Sequence, residues 1–492
     1  MRMENRSWVS IRSVLMALFF LLAVVVQLPV GPIHAQDKPW VDDPGKIGRY
    51  TVGHTSYLMT DKGNGNRPVY MSVWYPAEAW SVNSSTSPAQ YPLDPYSTNL
   101  PISTSSDWEP LGYDRAYEGL APSDHGPFPL VVFSPGWGCD AWMYIYIGTR
   151  LASHGYVVAV IEHWADGEWS WSQYDDLLTA MVNRPKDVSF AITTLLGKNT
   201  KRGDLLNRTI DPKRIVASGH SLGGYATYAL AGGDQLVCDA LVAAYFGDDT
   251  LPYPADTCVS TLPDRRIRTI VSVDGSSWLL RYRELSNISM PALILGETVE
   301  YSENMDPGFR DWIARPHAAI NSGDSYRVDI SGANHLTFTN LCDGVQVLYN
   351  LGVFSAADVT AWETSWPCAT TGWNPVTIPY AEMQRVVTMY TIAFLDVYLG
   401  DMGGKGIDRS ILTPEYALRH LPTVAQFFDS ERCYAAIPDH TYFRYRPHQV
   451  SNECDTAQKD PTGWFGTPTT SGIATPMLRA PINNVWHRPP IK

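Results

Sequence analysis

Six consecutive residues place a serine among the glycines that a sharp turn requires: Gly219-His220-Ser221-Leu222-Gly223-Gly224. An apolar run over 214–218 precedes this turn, and a helix-forming run over 225–230 follows it. A serine at a strand-to-helix turn stands at the top of a sheet with its hydroxyl exposed. A Gly/Ser-rich connecting loop is the alternative, but the flanking strand and helix favour Ser221 as a nucleophile.

A serine hydroxyl becomes a good nucleophile only when a neighbouring base takes its proton. Around this kind of turn the order along the chain is serine, acid, histidine, and the histidine lies in a loop after a late strand. His335 fits this place because it follows the predicted strand 326–330 and a turn at Gly332. The other histidines lie at the N-terminus, upstream of or inside the turn, in a helix-like stretch or in the C-terminal tail. His335 is therefore the candidate base.

The third group must orient the imidazole, so it should be a carboxylate at the end of a strand. Asp274 follows the apolar run 269–273, and Glu297 and Glu300 follow the run 292–296. Either strand end can supply this acid. We favour Asp274, with Glu297 and Glu300 as the alternatives.

Acyl transfer also needs two backbone N–H groups that bind the developing oxyanion. One comes from the residue after the nucleophile, which is Leu222. The other should come from the loop after the apolar run 129–134, where the sequence reads Pro135-Gly136-Trp137-Gly138. Glycines allow the backbone to approach a substrate closely. We assign Trp137 as the second donor, and a plain turn is the alternative.

Continuous apolar runs alternate with predicted helices over 141–154 and 187–196, and this rhythm is typical of a parallel sheet covered on both faces. The fold class is therefore α/β, and a long amphipathic helix is predicted from Pro379 to Leu399. We place one catalytic domain over 36–400, with a surface excursion over 78–126 and a possible flap over 232–265. Residues 401–492 are expected to form an irregular, disulfide-tied extension.

Residues 1–35 have the pattern of a secretory signal, with three arginines, an apolar stretch over 14–26 and a small residue, Ala35, at the expected cleavage site. The apolar stretch is shorter than the roughly 20 residues of a membrane span, which favours cleavage over an uncleaved anchor. The predicted location is therefore secreted, either extracellular or periplasmic.

Export permits disulfide formation, and six of the seven cysteines lie near a partner in sequence. The simplest pairing is Cys238 with Cys258, Cys342 with Cys368, and Cys433 with Cys454. Cys139 then remains a free thiol near the predicted oxyanion loop.

The net charge of −13 and the lack of a basic run in residues 36–492 argue against nucleic acid or an anionic membrane as partner. No later segment predicts a membrane span. No metal-ligand cluster, phosphate-cradling loop or dinucleotide fingerprint is present in the sequence, so we predict no cofactor. The expected partner is a small-molecule or lipid ester, and the oligomeric state is left open.

Four segments together carry a family resemblance: FSPGWG (133–138), LASHGYVVAVIEH (151–163), the Ser221 turn and GANH (332–335). Over residues 65–400 the chain resembles the platelet-activating-factor acetylhydrolase family and its bacterial esterase relatives. Cutinase-like polyester hydrolases share much of the pattern, and dienelactone hydrolases are more distantly similar. The resemblance implies an α/β-hydrolase fold and supports Asp274. Polyester hydrolases carry the acid after the next strand, where this chain has Val299.

The predicted function is a secreted serine carboxylic-ester hydrolase that acts through an acyl-enzyme on short-chain or phospholipid-type esters. A lipase or polyester hydrolase is the alternative among enzymes. A non-catalytic binding protein on a hydrolase scaffold is the alternative of another class.

Overall fold

The structure is a computed structural model. It describes residues 43–96, 100–164, 177–232, 262–277, 280, 282–298, 313, 315–365, 368–370, 376–400, 409–428 and 433–435. The predicted signal over 1–35, most of the possible flap, the proposed Cys238–Cys258 pair and Cys454 lie outside these residues.

Thirteen β-strands occur in the described residues, and most coincide with the apolar runs of the sequence. Their bounds are β1 Thr51–Asp61, β2 Arg67–Ala77, β3 Gln90–Pro92, β4 Ile102–Thr104, β5 Ala116–Glu118, β6 Phe128–Ser134, β7 Val157–His163, β8 Ile210–His220, β9 Ile267–Val273, β10 Ala292–Glu297, β11 Ser325–Ile330, β12 Val424–Phe428 and β13 Cys433–Ala435.

Eleven of these strands form one sheet in the order β13-β12-β11-β10-β9-β8-β6-β7-β2-β1-β5, and β3 pairs with β4 separately. The strands from β7 across β6 to β11 are mutually parallel. β2 joins β7 antiparallel, and β12 joins β11 antiparallel. The parallel centre is buried on both faces, which explains why its strands read as continuous apolar runs.

The helices connect the parallel strands or cover the sheet. Their bounds are α1 Ser105–Trp108, α2 Ile145–Ser153, α3 Leu177–Thr200, α4 Leu222–Gly232, α5 Tyr282–Leu285, α6 Leu341–Asn350, α7 Ala356–Thr364, α8 Tyr380–Leu399 and α9 Pro414–His420. Short 3₁₀ turns include 141–144, before α2, and 335–338, after β11. The predicted helix over 141–154 therefore begins as a 3₁₀ turn.

Two apolar clusters divide between the sheet's faces, because successive side chains of a strand point to opposite sides. On β6, Val131 and Phe133 belong to one cluster, whereas Leu130 and Val132 belong to the other. α8 begins directly after Pro379 as predicted, and one of its faces is buried, including Met383, Val386, Tyr390, Phe394 and Val397. The two clusters fix the sheet and therefore the strand ends that carry the site. None of the helices in the described ranges is long and apolar enough to span a membrane.

Two peripheral stretches contain regular elements among the residues that the structure describes. The surface excursion over 78–126 contains β3, β4, α1 and β5, and buries Tyr91 and Trp108 at 1% and 0% exposure. The extension over 401–492 is regular where it is described, because α9 and β12 pack on the core and β12 pairs with β11. Both stretches add to the main body of the fold.

Candidate active site

The turn between β8 and α4 holds Ser221 in a left-handed backbone conformation, with φ +55°. Such a conformation is uncommon for a residue with a side chain and is typical of functional turns. Gly223 must be glycine here because an added Cβ would lie 1.8 Å from the backbone oxygen of Ser134. The close approach of β8, α4 and the end of β6 therefore fixes Ser221 at the carboxyl edge of the sheet.

His335 lies between Ser221 and Asp274. Its Nε2 is 2.8 Å from the Ser221 hydroxyl oxygen, and its Nδ1 is 2.5 Å from a carboxylate oxygen of Asp274. Asp274 is 3% exposed, whereas Ser221 and His335 are partly exposed. The structure thus brings together the three residues predicted from sequence, in the order that lets a carboxylate orient an imidazole beside a hydroxyl.

Asp274 ends β9 in a second left-handed conformation, with φ +43°. Its backbone N–H donates to Leu295 of the neighbouring β10 at 2.6 Å, which fixes the direction in which the strand ends. Glu297 is fully buried at the end of β10, and both ring nitrogens of His335 contact other groups. Glu300 lies outside the described residues. The geometry therefore favours Asp274 over Glu297 as the acid.

The loop that carries His335 is held by its own side chains and by distant backbone. Asn334 is buried, and its side chain accepts hydrogen bonds from the backbone N–H and the hydroxyl of Thr337. Gly332 has φ +76°, and its carbonyl accepts from the N–H of Thr377 at 2.9 Å. These bonds hold the 3₁₀ turn that begins with His335.

The two predicted oxyanion donors lie in segments next to Ser221. Leu222 is the first residue of α4, where backbone N–H groups have no partner within the helix. Trp137 follows Gly136, where an added Cβ would lie 3.3 Å from Cβ of Ser221. The loop after β6 therefore lies directly against the nucleophile, and the assignment of Leu222 and Trp137 remains a prediction.

Arg184 of α3 binds two backbone carbonyls of this loop. One guanidinium N–H donates to the carbonyl of Pro135 at 2.6 Å, and another donates to the carbonyl of Gly136 at 3.3 Å. In a trans peptide the carbonyl and the following N–H point in opposite directions. Arg184 therefore directs the N–H of Trp137 away from itself. Sequence reasoning missed Arg184 because nothing in its local sequence indicates a role in the loop.

Two further serine–histidine–carboxylate sets lie in the described part of the chain. Ser72, His54 and Glu118 form one, with His54 2.8 Å from the serine oxygen and 2.7 Å from the carboxylate. Ser134, His163 and Asp187 form the other, at 2.8 and 2.9 Å. Ser72 and Ser134 are 3% and 0% exposed and lie within strands. Neither is accessible to a substrate, which separates both sets from Ser221.

The set at His163 should make folding stability depend on pH. Burial, reinforced by the charge of Arg184, lowers the pKa of His163 from 6.5 to about 4. Between these values the unfolded chain binds more protons than the folded chain, so stability is complete above pH 6.5 and falls toward pH 4. We expect this group to remove about 2 kcal/mol at pH 5 relative to pH 7, in denaturant unfolding. His163→Gln should lose less between these two pH values, and an equal loss would contradict the prediction.

The predicted disulfide between Cys342 and Cys368 is confirmed. It ties the first turn of α6, shortly after His335, to the segment that follows α7. Cys139 is a free thiol, as predicted, and the structure buries it. The proposed partner of Cys433, Cys454, lies outside the described residues, so this pairing stays a prediction.

Cys139 should resist alkylation in the folded protein. Burial raises the pKa of its thiol to about 12, and the thiolate is the reactive form. Iodoacetamide at pH 8 should therefore leave the native protein unlabelled. After denaturation without reductant, intact-mass analysis should show one adduct, located on Cys139, provided that the other six cysteines pair. Cys139→Ser should show no adduct, whereas labelling of the native parent would overturn the prediction.

Two groups of described residues bring potential metal ligands within 4.8 Å of one another. The first is His220, Asp274 and His335, whose atoms already hydrogen-bond within the site. The second, Glu78, Asp124 and His125, lies at the surface, where the Asp124 N–H donates to Glu78.

The parallel sheet, the strand–turn–helix at Ser221 and the adjacent histidine and carboxylate define the class of α/β-hydrolases. Residues 131–428 match the family model described as the alpha/beta hydrolase family, which is more than half of the chain. The chain therefore belongs to the alpha/beta hydrolase family. Residues 38–195 also match the model of platelet-activating factor acetylhydrolase, isoform II.

Similar proteins include two platelet-activating factor acetylhydrolases. The protein from Canis lupus familiaris is 30% identical over 22% of this chain and 33% of its own length. The protein from Cavia porcellus is 28% identical over the same shares. The chain thus matches about a third of the length of these relatives. A solved ferulic acid esterase from Streptomyces cinnamoneus has a TM-score of 0.47 and 21% identity, over 71% of this chain and 90% of that chain.

Proposed function

We propose that this protein is a secreted serine carboxylic-ester hydrolase that acts through an acyl-enzyme. The observation that carries the proposal is the contact of His335 with both the Ser221 hydroxyl and the Asp274 carboxylate. Family membership favours hydrolysis, and the similarity to acetylhydrolases favours a short acyl chain. The sequence pattern of residues 1–35 supports secretion.

The geometry supports the following reaction. The Ser221 oxygen attacks the ester carbonyl carbon while His335 Nε2 takes the hydroxyl proton, and the N–H groups of Leu222 and Trp137 bind the oxyanion. The tetrahedral intermediate collapses, the carbon–oxygen bond to the alcohol breaks, and His335 returns the proton to that alcohol. Water then attacks the acyl-enzyme by the same path and releases the carboxylic acid. Asp274 stays ionised and stabilises the imidazolium.

A substrate panel tests the proposal. The purified chain lacking residues 1–35 is assayed with p-nitrophenyl esters of increasing acyl length, with acetylated and oxidised phospholipids, and with polyester film. We expect the highest kcat/KM on short-chain esters and labelling of Ser221 by a serine-directed phosphonate.

Soluble monomer released from film, with little activity on small esters, would favour the polyester hydrolase instead. Absence of both labelling and turnover would favour a binding protein. Secretion is tested separately by sequencing the N-terminus of exported protein, which we expect at Gln36.

A further inference from the structure

We propose that Tyr144 and His220 are positioning residues that connect the oxyanion loop to the base, so that one chain of hydrogen bonds sets both halves of the site. This inference rests on the proposed function and assigns the two residues no contact with the substrate.

The chain of hydrogen bonds runs through buried atoms. The Gly136 N–H donates to the Tyr144 hydroxyl oxygen at 2.9 Å. That oxygen is 2.9 Å from Nδ1 of His220, and Nε2 of His220 is 2.9 Å from the backbone carbonyl oxygen of His335. Tyr144 and His220 are both 0% exposed. The path therefore begins beside Ser221 in the oxyanion loop and ends on the backbone of the base.

Each atom on this path has one consistent role. A carbonyl oxygen can only accept, so Nε2 of His220 carries the proton. Burial, with His335 beside it, holds the pKa of His220 well below its ordinary value, and the ring is neutral. Nδ1 must then accept from the Tyr144 hydroxyl, whose oxygen accepts from Gly136. The order of donors fixes the tautomer of His220.

The two ends of the path are the two parts of the site that must be aligned. Gly136 is held at its N–H by Tyr144 and at its carbonyl by Arg184, which leaves the adjoining Trp137 peptide little freedom to rotate. At the other end, the bond from His220 holds the backbone of the residue whose ring contacts Ser221. The His220 and His335 rings also lie 4.6 Å apart, centre to centre. A shift of the loop is thereby linked to a shift of the base.

Tyr144→Phe tests the inference by removing one hydroxyl from the middle of the path. Since small misplacements of reacting groups can cost about 100-fold, we expect kcat on p-nitrophenyl butyrate to fall about 10- to 100-fold with KM unchanged. The matched control is Tyr75→Phe. Tyr75 is also 0% exposed, and its hydroxyl donates to the backbone carbonyl of Leu120 at 2.8 Å. It lies on β2, whereas the site residues follow β8, β9 and β11. Tyr75→Phe should lose comparable thermal stability and keep kcat.

His220→Gln tests the same chain of hydrogen bonds at a second residue. The glutamine amide can still donate to the His335 carbonyl, so we expect a smaller loss of kcat than in Tyr144→Phe. The double variant should lose no more than the larger single variant, because the path is already interrupted. This comparison also serves if Tyr144→Phe folds poorly.

Equal kcat in Tyr144→Phe and Tyr75→Phe, or additive losses in the double variant, would overturn the inference. The parent protein separates the two proposals. If the parent hydrolyses esters and reacts with the phosphonate while Tyr144→Phe keeps the parent kcat, only the positioning role fails. If the parent is inert, the esterase proposal fails.

Discussion

Ser221→Ala should lower kcat for ester hydrolysis by about 10⁶-fold, since removing a nucleophile of this kind leaves only binding and the oxyanion donors. KM and the melting temperature should stay near those of the parent, because the substitution removes one partly exposed oxygen. The measurements are kcat and KM on p-nitrophenyl acetate, together with phosphonate labelling followed by mass spectrometry. Labelling should disappear with turnover.

The fold supplies a matched control for this substitution. Ser72 makes the same 2.8 Å contact with a histidine that Ser221 makes, but it is buried within β2. Ser72→Ala should therefore cost stability and leave kcat unchanged. Parent-like turnover in Ser221→Ala, or an equally large loss of kcat in Ser72→Ala, would refute the assignment of the nucleophile.

Asp274→Asn should lower kcat by up to about 10⁴-fold while the fold is retained. An asparagine amide can donate to Nδ1 of His335, which favours the tautomer with the proton on Nε2. That tautomer cannot take the proton of Ser221. Stopped-flow or steady-state assays of kcat across pH measure the loss, and thermal unfolding checks the fold.

Glu297→Gln is the control for this prediction, since Glu297 is equally buried at the next strand end. It should lower kcat far less than Asp274→Asn, and Glu300→Gln should behave in the same way. Near-parent kcat in Asp274→Asn, with a collapse in either glutamate variant, would move the acid to the end of β10.

The candidate triad could be predicted from the sequence because each member follows a strand-forming run. Parallel strands have their carboxyl ends at one edge, so Ser221, Asp274 and His335 had to approach one another once those runs were recognised as strands. The glycines around Ser221 added a second signal, because the turn needs close backbone approach. These patterns lie in short stretches of sequence, so they can be recognised without knowledge of the fold.

The supporting residues could not be predicted in this way. His220 was set aside as part of the turn, although it binds Tyr144 and the backbone of His335, which lie 76 and 115 positions away. His163 and Arg184 likewise act through groups brought together by tertiary packing. A histidine or arginine on a buried strand or helix carries no sequence mark that separates support from function.

β12, near the C-terminal end of the described residues, was missed for a related reason. β12 has only five residues, and its pairing partner, β11, ends almost a hundred positions earlier. A strand of five residues lacks the long apolar run that reveals the central strands. Its position became visible only through the antiparallel bonds with β11.

That late strand has a consequence for biosynthesis. The N–H of Ser331, which begins the loop leading to His335, donates to the carbonyl of Thr423 at 2.7 Å. On a ribosome that extends the chain by roughly 5–20 residues per second, the nucleophile and the base are made well before this bond can form. A nascent chain that already contains Ser221, Asp274 and His335 therefore still lacks the backbone partner of the base's loop. The loop of the base therefore gains this backbone partner only after the segment carrying Thr423 has emerged.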